Sequence, residues 1–64
     1  MRPLMEILED ERALMLKMDT IYQNMLRYSG PEVDKILFAR KDMIERDLEH
    51  VRNEIREYIT ELFK

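Results

Sequence analysis

Leu26-Arg27-Tyr28-Ser29-Gly30-Pro31-Glu32-Val33 decides the fold, because it holds the chain's one glycine and, after Pro3, its one proline. These two residues are the strongest local interrupters of regular structure. Gly30 suits the left-handed position that closes a helix. Pro31 suits the first turn of the next one, where its missing N–H is no loss. Ser29 and Glu32 also have the spacing of a capping box. The stretch therefore predicts a single turn, at 29–30, in an otherwise helical chain. Pro3 opens the first helix in the same way, with Glu6, Glu9, Asp10 and Glu11 near its positive end. Helices are predicted over 3–28 and 31–63, together forming one helical-hairpin domain over 1–64. At ~1.5 Å per residue they would run roughly 39 and 50 Å, so the second overhangs the first.

Outward from the turn, apolar residues recur at alternate spacings of three and four. In the first helix the seam reads Leu4, Ile7, Glu11, Leu14, Met18, Ile21, Met25 and Tyr28, with only Glu11 polar. In the second it reads Leu37, Lys41, Ile44, Leu48, Val51, Ile55, Tyr58 and Leu62, with only Lys41 polar. Folding back at Gly30 sets Met25 against Leu37, Met18 against Ile44, Leu14 against Leu48, Ile7 against Ile55 and Leu4 against Tyr58. Each pair joins an a position to a d position, as an antiparallel coiled coil requires. The fold class is all-α, an antiparallel two-helix hairpin. A polar residue within each seam suits control of register and oligomer state, or a side chain that snorkels to water.

The two edges of this seam differ in character. One carries Asp10, Lys17, Asn24, Arg40, Asp47, Glu54 and Glu61 and should face water. The other carries Leu8, Met15 and Tyr22 from the first helix and Phe38 and Ile59 from the second, with Glu45 and Arg52 between them. These five apolar residues are the candidate interface. A chain of 64 residues starts with a thin core as an isolated monomer, and, Met1 aside, twelve large apolar residues lie outside the seams. Dimerisation of two hairpins into a four-helix bundle would cover many of them.

Composition narrows the function classes. Without cysteine the chain has no disulfide framework, thiolate zinc site or cysteine nucleophile, which makes a reducing, cytoplasmic setting the default expectation. No run approaches the ~18 apolar residues of a membrane span. A net charge of −3 argues against nucleic acid as the partner, and the arginines of the second helix are interleaved with acids. Asp42 with Arg46 and Glu49 with Arg52 have the spacing of ordinary helix pairs. His50 is the one histidine; with Asp47 three residues before it, the pair has a spacing used in metal-binding bundles, but it lies toward the charged edge. The six methionines read chiefly as core, and secondarily as an adaptable surface for a partner helix. There is no phosphate-cradling loop and no nucleophile beside a base, so no catalytic residue, metal or cofactor is assigned. The expected function is a non-enzymatic, self-associating interaction or regulatory protein.

Two resemblances supply alternatives. The plan resembles that of the Rop family of small plasmid RNA-binding proteins, whose helical hairpins dimerise into four-helix bundles; the likeness is one of architecture alone and implies an RNA-binding bundle. Tyr28, Ser29, Glu32, Val33, Ile36 and Leu37 resemble the turn and second-helix entry of the short helical-hairpin aspartyl-phosphate phosphatases of sporulating bacteria. That likeness implies a regulator acting on a response-regulator protein. The family's Ser-Gln-Glu-Leu-Asp motif is absent, residues 39–43 reading Ala-Arg-Lys-Asp-Met in its place.

Overall fold

A computed structural model describes residues 2–64. Two helices, α1 (Leu4–Arg27) and α2 (Pro31–Leu62), pack against each other, and no strand occurs among the described residues. Arg2 at the start of the chain meets Glu54 and Tyr58 near its end, so the helices run antiparallel. The hairpin measures 50 × 15 × 15 Å, a rod one helix pair thick.

The turn is made differently from the sequence expectation. Tyr28 leaves α1 with extended backbone, φ −119° and ψ 126°, while its N–H still donates to the Asn24 carbonyl at 2.9 Å. Gly30 does not close α1; it precedes α2, at φ 155° and ψ 151°, and its carbonyl accepts the Asp34 N–H at 2.9 Å. That backbone conformation is essentially confined to glycine. Pro31 occupies the first turn of α2, and Glu32 and Asp34 put negative charge at its positive end. No side-chain cap bond forms there, so Ser29 and Glu32 do not make a capping box. The glycine's backbone freedom and the proline suffice to restart the helix.

The seam is the core. Ile7, Met18 and Ile21 of α1 are buried against Leu37, Leu48 and Val51 of α2. Leu4, Leu14, Met25, Ile44, Ile55 and Tyr58 are half-buried around them. Of the apolar seam residues only Tyr28 and Leu62 are exposed. Tyr28 has already left the helix, and Leu62 lies in the overhang of α2.

Candidate functional site

The two edges of the seam are built to opposite purposes. On the charged edge Arg2 spans the gap between helices, its Nη2 2.8 Å from Glu54 Oε1 and its Nε 3.0 Å from Glu54 Oε2, while Nη1 also donates to Asp10. The Tyr58 hydroxyl donates to the Arg2 carbonyl. Glu54 is only 20% exposed, and the Arg2 guanidinium hydrogen-bonded to it holds its carboxyl below the usual carboxylate range, against the opposing effect of burial. This edge was expected to be simply solvated, and Lys17, Arg40, Asp47 and Glu61 are exposed. Asp10, Asn24 and Glu54 are half-buried instead. At Asp10 and Glu54 the difference comes from Arg2, which stands ahead of the helical periodicity and so carries no heptad signal.

His50 is 80% exposed, with Nε2 3.6 Å from Glu54 rather than near Asp47. Among the described residues no group of three or more acids and histidines could hold a metal ion. No helix among them is long and apolar enough to cross a membrane.

The opposite edge has no such strap. Leu8, Met15, Tyr22, Phe38 and Ile59 are each between 40% and 54% exposed, their inner sides on the seam and their outer sides in water. The heptad places Met5 and Leu26 of α1 and Phe63, just past α2, in the adjoining outer row, and all three are more exposed still. Those three widen the apolar strip at both ends of the rod. Their signal was in the sequence, one heptad position outward from the edge residues.

The polar residues of the two seams turn toward this same edge. Glu11 Oε2 lies 3.7 Å from Arg52 Nε, and Lys41 Nζ lies 3.2 Å from Glu45 Oε1 and 5.9 Å from the centre of the Phe38 ring. Glu11 and Lys41 are 26% and 24% exposed, so their stems cross the seam while their charges reach the rim. The Glu45 carboxylate, by hydrogen bond and then by charge, raises the Lys41 ammonium above its ordinary pKa. Arg52 turns to Glu11 across the hairpin, not to Glu49 along its own helix. The edge is thus an apolar strip crossed by two ion pairs, each linking a seam residue to an edge residue of α2.

Comparison with protein-family models, with curated proteins and with solved structures finds no match for this chain.

Proposed function

We propose that this chain is a non-enzymatic interaction protein that self-associates through the Leu8, Met15, Tyr22, Phe38 and Ile59 edge, two hairpins closing a four-helix bundle. One observation carries the reading: with the seam already buried, a strip of large apolar side chains runs along the rod on one edge and stays half in water. Contiguous exposed apolar surface of this kind marks association sites. The charged edge, braced by Arg2, Asp10 and Glu54, stays outward in such a bundle.

Light scattering across a dilution series, with helicity followed in parallel, tests it. A dimer that dissociates on dilution and loses helicity as it does so supports the reading. A fully helical monomer at micromolar concentration would refute it, and a helix of another protein would then be the occupant to seek. Dephosphorylation of a phosphorylated receiver domain, or salt-sensitive RNA retention, would instead favour the phosphatase-like or RNA-binding alternative.

A further inference from the structure

The edge that would join two copies carries a pattern that is its own complement when reversed. Along α2 the edge residues follow each other as Phe38, Glu45, Arg52 and Ile59. Turning this row end for end about the point between Leu48 and Glu49 exchanges Phe38 with Ile59 and Glu45 with Arg52. Apolar residues land on apolar ones, and opposite charges on each other. Along α1 the row Leu8, Met15, Tyr22 reverses about Met15 and exchanges Leu8 with Tyr22.

These two centres lie at nearly the same level of the rod: the seam register sets Leu14 against Leu48, which puts Met15 about 2 Å along the axis from the midpoint between Leu48 and Glu49, and Glu11 reaches Arg52 one turn away. A single two-fold axis therefore serves both helices. The outer rows agree with it to within one residue: reversal exchanges Met5 with Leu26, Arg12 with Asp19 and Asp42 with Arg56, and sets Phe63 against Lys35. Glu49 is the one residue in these rows brought toward a like charge, its own copy, and it lies exposed on the rim.

Resting on the self-association reading, we infer that the occupant of this edge is a second copy of the chain in antiparallel orientation, each helix lying against its own copy, with Met15 at the two-fold axis and Glu45 paired to the partner's Arg52. The ion pairs inside each hairpin then extend into a run of alternating sign: Glu11, Arg52, the partner's Glu45 and the partner's Lys41. The run repeats on the other side of the axis. The other two-fold arrangement, with both turns at the same end and α1 against the partner's α2, sets Met15 between the partner's Glu45 and the partner's Arg52. It matches an apolar row to a half-charged one. Charge complementarity of this kind fixes orientation more than it adds affinity.

The test is a pair of charge reversals made separately and then mixed. Glu45→Arg and Arg52→Glu should each weaken self-association by roughly 10-fold or more, because like charges then face each other twice per dimer. Mixed in equal amounts, the two should form a heterodimer in which both facing pairs are again opposite, seen by native mass spectrometry as the dominant dimer. If the unaltered chain dimerises but mixing gives no preference for the heterodimer, the orientation is wrong while the self-association reading stands. If the unaltered chain stays monomeric, both fall. Should either variant lose helicity, single cysteines decide the matter, since the chain has none of its own. Met15→Cys should cross-link to itself under mild oxidation and Leu8→Cys should not, and the reverse result overturns the inference.

Discussion

Arg2 and Glu54 make a two-pronged ion pair between the segment ahead of α1 and the last helix, with N···O distances of 2.8 and 3.0 Å. The turn at Gly30 joins the helices at one end of the rod, and this pair, with Asp10 and the Tyr58 hydroxyl, joins them near the other. The Arg2 guanidinium is stabilised in its charged form mainly by the hydrogen bonds it donates to Glu54 and then to Asp10. Two parallel N–H···O bonds hold a carboxylate in one orientation, which a lysine could not do.

Arg2→Ala should return the Glu54 carboxyl to the ordinary range, a rise that carboxyl carbon NMR titration can follow. The sign for stability follows from linkage. A carboxyl whose folded-state pKa is lowered contributes stability above its unfolded pKa, and loses it as pH falls through the folded value. The unaltered chain should therefore lose urea resistance in moderately acid solution more steeply than Arg2→Ala does. Equal acid slopes would show that Glu54 gains nothing from Arg2. Arg2→Lys should recover only part of the effect.

Gly30 offers a test of backbone conformation free of crowding. A Cβ built there meets no atom within 4 Å, so any cost of Gly30→Ala comes from the positive φ alone. That cost should be on the order of 1–3 kcal/mol by urea denaturation. A synthetic chain with D-alanine at position 30, whose mirror-image preferences favour positive φ, should lose less stability than the L-alanine chain. Equal destabilisation by both enantiomers would contradict the turn geometry.

The seam was readable because burial imposes a period, and Ile7, Met18, Ile21, Leu37, Leu48 and Val51 all fall on it. The turn was readable as a place but not as a conformation. A lone glycine before proline can close one helix or restart the next, and only the dihedral angles show that Gly30 does the latter. Arg2 was not legible, since a residue ahead of the first helical turn has no periodic address and reaches Glu54 only through tertiary folding. The apolar edge was legible as five positions at heptad spacing. Its charged members were seen merely as interruptions, because the direction in which Glu11 and Lys41 leave the seam depends on Arg52 and Glu45 beside them.

Core and edge should separate by their dependence on concentration. Ile7 is the one fully buried large side chain among the described residues, so Ile7→Ala should cost about 2–5 kcal/mol at every protein concentration. Tyr22→Glu and Phe38→Glu should weaken stability only where the unaltered chain is associated, while Asp47→Ala and Arg40→Ala on the charged edge change it little. Urea midpoints measured at two widely spaced concentrations check this. A concentration-independent loss in Tyr22→Glu would assign Tyr22 to the hairpin's own core.

The polar seam positions give a prediction in which stability and uniqueness move in opposite directions. Glu11 and Lys41 stand where leucine would complete an unbroken apolar seam, and each spends its stem on the seam and its charge on the rim. Glu11→Leu combined with Lys41→Leu should raise the melting temperature, since burying each leucine is favourable by up to ~1.5–3 kcal/mol. The same change leaves Arg52 without its seam partner and Glu45 without its own, and makes a one-heptad slip between the helices cheaper. The double variant should therefore be more heat-resistant yet show several masses by light scattering, where the proposed self-association predicts a single dimer for the unaltered chain. Restoring Glu11 alone should recover much of the single species, because it re-anchors Arg52, the residue that the proposed two-fold arrangement sets against the partner's Glu45. A double variant that gains heat resistance and still gives one sharp mass would mean that the helix register is set by the Gly30 turn and the Arg2 clamp, without help from the seam charges.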